Sequence, residues 1–437
     1  MHRLRRGEWR NWAGNQACRP AALLRPSGEP ALRELVARAA DEGQRVRAVG
    51  AGHSFTAVAT TGGALVDLSA HDRVLDVDIA ARQVTVEAGI PLWRLNEVLD
   101  EHGLALENLG DIAYQSVAGA TQTATHGTGA RFRNLSSGIV AMRLVDGSGD
   151  VVACSATEEP EVFAAARVGV GALGLVSAVT LQCVPAFRLH AVEEPMRVDE
   201  VLEGIDELVA DNDHFELFWV PNTRWALTKR NRRTDEPPVP RPAWRALYED
   251  VLLDNAGFAA MLAAGRVRDD WIPKVAKRLP SKGRVEYVDR SYRVFASPRL
   301  VHFYEMEYAV PREALVEAVD RVRAIVDGGG RYIGFPVEVR TTAADDIALS
   351  TASGRDTAYV AVHVARGTPY RDYFDAVEAA MVDLDGRPHW GKLHTRTAAD
   401  LAAAYPRWDE FQAVRRRLDP EGRFTNDHVE RVLGPVS

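Results

Sequence analysis

Between Ser116 and Gly129 the chain reads Ser-Val-Ala-Gly-Ala-Thr-Gln-Thr-Ala-Thr-His-Gly-Thr-Gly, fourteen residues of which only Gln122 and His126 exceed valine in bulk. Such a run buries too little apolar surface to build a core by itself. It does offer many backbone N–H groups and small hydroxyls, a lining that lets a pyrophosphate lie close to the main chain. The alternative is a flexible linker, but linkers rarely carry Val-Ala-Gly-Ala beside a histidine.

A second glycine-bearing segment, Gly50-Ala51-Gly52-His53-Ser54-Phe55, follows the strand pattern of Arg45 to Val49. Two glycines let the backbone turn sharply and approach a bulky anion. A Rossmann fingerprint is excluded, because Phe55 stands where the third glycine belongs. On local spacing alone the segment reads equally as a tight turn carrying a surface histidine.

At 437 residues the chain is too long for one compact core, which predicts two or three domains. The net charge of −8 comes with no basic stripe, so nucleic acid is not an expected partner. Cys18, Cys154 and Cys183 are odd in number and far apart, which argues against a disulfide framework and for a reducing, cytoplasmic setting. Peripheral membrane association is left open. Met1 to Arg10 is basic with no apolar stretch behind it, unlike a secretory signal. Val168 to Phe187 carries no charge, yet its glycines, Thr180, Gln182 and Pro185 predict a buried strand over Leu175 to Val184 rather than a transmembrane helix.

The pattern along the chain predicts an α+β protein. Up to residue 185, helices at Glu29 to Glu42 and Pro91 to His102 alternate with strands at Ala64 to Leu68 and Gln83 to Ala88. Ile139 to Val145 and Asp150 to Cys154 flank a hairpin turn. Over 186–395, an amphipathic helix at Val201 to Ala210 precedes paired strands at Phe215 to Val220 and Trp225 to Lys229. Further strands at Phe303 to Tyr308, Gly334 to Thr342 and Ala358 to Arg366 are followed by helices at Pro311 to Val326 and Tyr370 to Leu384. This predicts an antiparallel sheet backed by helices. Residues 396–437 read as a helical segment that returns to the first domain or to the interface.

Glu338 and Arg340 are two apart in a strand and share a face, opposite Val337 and Val339. Side by side they could grip a polyol or lactone; they read equally as a surface ion pair worth little. His363, opposite Val360 and Val362, is a candidate site residue or a buried structural histidine. Lys392 follows His389-Trp390-Gly391 and reads as a loop lysine or a hydrogen-bond donor. His389 and His394 are five apart with no H-E-x-x-H, so no metal site is expected. A nucleophile elbow and a P-loop are both missing.

Taken in order, Asn11-Trp12-Ala13-Gly14-Asn15, Gly50 to Thr56, Glu87-Ala88-Gly89, Gly110 to Gly129, Gly171-Ala172-Leu173-Gly174, Glu338-Val339-Arg340 and His389-Trp390-Gly391-Lys392 resemble the aldonolactone oxidoreductases. That group includes L-gulono-1,4-lactone oxidase, D-arabinono-1,4-lactone oxidase and alditol oxidase, on the vanillyl-alcohol-oxidase-type FAD-binding fold, and the likeness is nearest to actinobacterial members. The resemblance implies an FAD-binding domain over 1–185 and a cap domain over 186–395. It places Gly50, Ala51, Gly52, His53, Ser54, Gly110, Asp111, Ser116, Gly119, Ala120, Thr123, Thr125, His126, Gly127, Gly174 and Val176 at FAD. His53 falls on the histidine that in many members bonds the flavin C8α carbon. Glu338, Arg340, Lys392 and His363 fall at the substrate, a sugar lactone or polyol. The implied reaction is hydride transfer to flavin N5, with oxygen or another electron acceptor reoxidising the flavin. Rival readings are an oxidase of alditols or of a specialised metabolite, and a non-catalytic flavin-binding module.

Overall fold

The computed structural model describes residues 7–242, 283–296, 301–328 and 333–436. The basic start of the chain therefore lies largely outside the described residues. Strands and helices are mixed and the two large sheets are antiparallel, in keeping with the α+β expectation.

The first part begins with a three-stranded parallel sheet in the order Ala22–Leu24, Ala64–Asp67, Val46–Val49. Helix Glu29–Asp41 connects its outer strands. It forms because Leu32, Leu35, Val36 and Ala39 recur at helical spacing and are all buried. It stops before Gly43, whose φ of 63° suits glycine. Beside it lies a five-stranded antiparallel sheet in the order Val151–Ser155, Ile139–Val145, Leu175–Gln182, Gln83–Glu87, Val74–Asp78. The uncharged stretch thus supplies the central strand Leu175–Gln182, which pairs on both sides. No helix among the described residues is long and apolar enough to cross a membrane.

The second part is built on one eight-stranded antiparallel sheet. Its order is Val285–Arg290, Arg188–Arg197, Trp225–Thr234, His214–Trp219, Val337–Thr342, Thr357–Ala365, Phe303–Pro311, Arg387–Pro388. One face carries Val337, Val339, Val360, Val362 and Val364 against helices Leu315–Gly328 and Arg371–Val382. Because side chains alternate along a strand, Glu338, Arg340 and His363 are left on the opposite face, turned toward the first part.

The helix expected over Val201 to Ala210 is instead two short helices, Val198–Glu203 and Ile205–Ala210, broken at Gly204. Glycine there removes both helix propensity and a side chain to pack.

The last helices, Trp408–Leu418 and Asp427–Leu433, share the hydrophobic core of the first part. Between them the Asp419 carboxylate accepts the Arg423 and Phe424 N–H groups. The Arg423 guanidinium donates to the Gly147 and Ala39 carbonyls. Asn426 donates to the carbonyls of Ala57 and Thr60. Phe424 is fully buried, which contributes on the order of 1.5–3 kcal/mol.

Candidate active site

Two hollows adjoin at Gln115, which lines both; the first is bounded by the first part alone, and the second lies between it and the eight-stranded sheet. The first is a cleft, open to solvent, walled largely by small residues that leave the main chain uncovered. Gly50 to Ser54 form one wall; Ser116, Gly119 and Thr123 form a second; Gly171, Gly174 and Val176 form a third. Ser116 caps the short helix Val117–Gln122 by accepting the Gly119 N–H at 3.1 Å. A Cβ on Gly50 would collide with the Ser116 hydroxyl. The small residues are therefore required where these two segments touch. Arg47 lines the same cleft, with its guanidinium donating to the carbonyls of Val58, Val170, Gly171 and Phe424.

The His53 loop is gripped from outside. The N–H of Trp12 donates to the Gly52 carbonyl at 2.8 Å. Asn11 donates to the Ser54 carbonyl, and both Asn15 and Gln16 donate to that of Phe55, each at 2.9 Å. The Phe55 N–H donates to the Gly391 carbonyl at 2.7 Å, which ties the loop to the segment carrying Lys392. The Trp12 indole lies 5.3 Å from the His53 ring and stacks on His302 at 4.5 Å.

The second hollow is lined by charged side chains together with Phe218, Phe303, Phe335 and Pro336. Arg340 is its centre on one side. Its guanidinium contacts Glu338, reaches Asp111 at 2.6 Å and donates to Glu216 at 2.9 Å. Burial alone would lower the guanidinium's pKa, but the three carboxylates outweigh burial and raise it well above the usual value. Burial, helped by Asp111 and Glu216, pushes the Glu338 carboxyl up despite the contact with Arg340. The oxygens of Asp111, Glu216 and Glu338 lie within 4.8 Å of one another, a spacing a cation could use. Arg340 already supplies the positive charge among them.

On the other side Lys392 Nζ contacts Glu305 and lies 3.9 Å from Glu307. Burial works against its charge, yet these two carboxylates raise its pKa. Burial likewise tends to raise Glu305, but Lys392 and His363 together hold it at about 2. His126 Nε2 sits 2.7 Å from Glu307, and the ring stacks on Tyr359 at 3.5 Å. His389 Nδ1 accepts the Gly391 N–H, and burial lowers its pKa to about 4.

The structure thus gathers Gly50, Ala51, Gly52, His53, Ser54, Ser116, Gly119, Thr123, Gly174 and Val176 at the backbone-walled cleft. It gathers Gly110, Asp111, Thr125 and His126 with Glu338, Arg340, His363 and Lys392 at the charged hollow. Ala120 and Gly127 line neither. Ala120 is packed in the core, and Gly127 lies so close to Asn108 and Leu109 that no Cβ would fit. The sequence reading missed Glu216, Glu305 and Glu307. A signal was available for the last two: like Glu338 and Arg340, they are charges two apart in an otherwise apolar strand.

The cleft suits FAD: its main chain is bare where glycines are sterically required, and Arg47 places a buried cation in its wall. Residues 20–155 match a family model described as an FAD binding domain, and residues 179–432 match that of D-arabinono-1,4-lactone oxidase. The chain is 48% identical to L-gulono-1,4-lactone dehydrogenase of Mycobacterium tuberculosis, over 98% of this chain and 99% of that one. It is 34% identical to L-gulonolactone oxidase of Bos taurus, over 99% and 100% of the two chains. Identity to alditol oxidase of a Streptomyces species is also 34%, over 97% and 98%. Among solved structures, a cholesterol oxidase from B. sterolicum superposes with a TM-score of 0.83 at 17% identity, covering 98% and 96%; that likeness concerns the fold alone. The class is therefore that of FAD-dependent oxidoreductases acting on alcohol groups. Within it, the chain belongs to the D-arabinono-1,4-lactone oxidase family.

Proposed function

We propose that this enzyme oxidises a hydroxyl-bearing carbon of an aldono-1,4-lactone of the L-gulono or D-arabinono type. Residues 1–185, closed by 396–437, hold FAD in the backbone-walled cleft. Residues 186–395 form the cap that holds the substrate. The observation that carries this reading is the buried convergence of Arg340, Glu338 and Lys392 on one hollow adjoining that cleft. The names of the relatives support a sugar-lactone substrate.

Bound FAD supplies the two-electron acceptor for the hydride. The residues of the chain do the rest. Arg340, fixed from three directions, donates to substrate oxygens, and Glu338 accepts from a substrate hydroxyl. As the carbon gives up its hydride, the hydroxyl proton needs an acceptor. Glu305 is held deprotonated as a weak base, whereas the proton affinity of Glu338 is raised, so the Glu338 carboxylate takes the proton. Lys392, with His363 behind it, assists by stabilising negative charge on that oxygen. His53, in the wall of the cleft, would carry the covalent link to the flavin, and oxygen or another acceptor would take up the electrons.

Two measurements test this. Anaerobic mixing with L-gulono- and D-arabinono-1,4-lactones should bleach the flavin, and faster bleaching by alditols would move the substrate to the open-chain class. A denatured gel viewed under ultraviolet light should show flavin fluorescence on the protein, and His53→Ala should remove it. A colourless purified protein that no lactone or alditol affects would sink the reading.

A further inference from the structure

Glu305 has no role in the reading above, yet it is the acid most directly attached to Lys392. It sits in strand Phe303–Pro311 directly opposite His363 in the neighbouring strand. Its Oε1 receives Lys392 Nζ and lies 3.4 Å from His363 Nε2. His363 Nδ1 in turn lies 3.1 Å from the carbonyl of Pro336, two residues before Glu338. The chain of contacts runs from the Glu338 strand through His363 and Glu305 to Lys392.

The main chain already brings these groups together without help from the Glu305 carboxylate. The His389 N–H donates to the Glu307 carbonyl at 3.0 Å, and the Leu393 N–H to the Glu305 carbonyl at 2.9 Å. Segment His389 to Leu393 is thereby laid along the strand, and Lys392 is delivered over it. The carboxylate of Glu305 is thus not needed to place the loop. What it adds is charge, in a buried place where charge acts strongly.

We propose that Glu305 is a positioning residue that locks Lys392 as an ammonium, so that Lys392 stabilises the forming alkoxide and does not itself take the substrate's proton. The inference rests on the reading of this hollow as the substrate site. The groups facing Lys392 are Glu305 and Glu307 from one strand, Glu338 from another and His389 from its own segment, with the Phe55 ring 5.4 Å below Nζ. Glu307 is shared with His126 at 2.7 Å, whereas Glu305 makes contact with Nζ, so Glu305 dominates. A neutral amide at 305 keeps the shape and removes the charge. Lys392 would then lose its proton at a lower pH and become a base that competes with Glu338.

The test uses the flavin-loaded protein as wild type, Glu305→Gln and Glu305→Asp. An amine-selective acylating reagent is applied across pH 7–11, and Lys392 modification is read by mass spectrometry. In Glu305→Gln, Lys392 should label ~10-fold faster at pH 9, a shift of about one pH unit, while Glu305→Asp should track wild type. In parallel, anaerobic flavin reduction by L-gulono-1,4-lactone should slow by ~10–100-fold in Glu305→Gln at saturating substrate, with KM changed far less, because charge on the oxygen develops only in the transition state. The basic limb of the rate profile should move down with the labelling curve. Superimposable labelling curves for wild type and Glu305→Gln overturn the proposal and leave the reading of the hollow intact. A shifted labelling curve with no flavin reduction in wild type leaves the Glu305–Lys392 pairing standing and sinks the reading of the reaction.

Discussion

The backbone-walled cleft and the charged hollow adjoin, but they are built by opposite means. The cleft is made where side chains are small or missing, so its shape follows from steric exclusion at Gly50, Ser116 and Gly174. The hollow is made where strands from distant parts of the sequence bring charges face to face. Asp111, Glu216 and Glu338 meet at Arg340, and Glu305 and Glu307 meet Lys392. One site is a property of local sequence and the other of sheet order. The cleft should therefore break when volume is added and the hollow when charge is removed.

The largest effect on flavin content should come from adding volume. Gly50→Ala puts a methyl group against the Ser116 hydroxyl in a wall with no slack. Overpacking of this kind costs about 1–3 kcal/mol, and here it falls on the cofactor's own surface. The variant should purify with its flavin largely lost, its flavin affinity reduced by ~5–150-fold with that cost expressed in binding. Gly62→Ala is the control, because nothing lies within 4 Å of the added carbon. Equal flavin content in the two would mean that the cleft tolerates volume and that the contrast is false.

The largest effect on stability should come from removing charge. Arg340→Met deletes the cation that Asp111, Glu216 and Glu338 share, and leaves Glu216 with Lys229 at 3.3 Å while Glu338 loses its contact with the guanidinium. Breaking a buried pair from one side costs about 3–5 kcal/mol. Urea unfolding should show a loss of that order, and the double variant Arg340→Met, Glu338→Gln, which keeps the Glu216–Lys229 pair, should recover much of it. Failure to recover would mean that Arg340 stabilises by packing and not by charge.

A smaller effect, confined to acid, should follow from His389. Its native pKa of about 4 lies below the ordinary histidine value because burial disfavours the charged ring. The stability this contributes is fully present above pH 6.5, and is lost as pH falls toward 4 because the unfolded chain binds a proton that the native state refuses. His214, also held at about 4 by burial, acts in the same sense. Glu305, at about 2, adds its own loss only below the ordinary glutamate range. The urea midpoint should drop between pH 6.5 and 4.5, and His389→Gln should flatten that slope by about 1–2 kcal/mol. An unchanged slope would remove His389 from the account.

These differences also explain what could be read before the fold was known. The cleft was legible because its segments are short and contiguous: Gly50 to Ser54 and Ser116 to Thr123 carry their own signal. Glu338 and Arg340 were legible as a same-face pair. Their partners were not, since Glu216 lies in a strand more than a hundred residues away in sequence, and only sheet order places it beside Arg340. Lys392 was singled out from its motif, but its charge state depends on Glu305, whose strand had been read only as one strand of the antiparallel sheet. The split of the Val198-to-Ala210 segment was missed because the apolar spacing continues through Gly204.

The smallest effect should appear where the two sites are joined. The Phe55 carbonyl accepts from both Asn15 and Gln16, while its N–H donates to Gly391 on the Lys392 segment. Losing one of two donors leaves the carbonyl satisfied, so Gln16→Ala should cost no more than about 0.5–1 kcal/mol and leave flavin content unchanged. Losing both leaves the carbonyl orphaned beside the His53 loop. Asn15→Ala with Gln16→Ala should therefore cost more than the sum of the single changes, with a coupling energy of about 1 kcal/mol or more. The same double variant should slow both flavin incorporation, through the loop, and flavin reduction by lactone, through Gly391. Strict additivity with only one of the two rates affected would show that cleft and hollow are merely adjacent, and that the Phe55 backbone does not couple them.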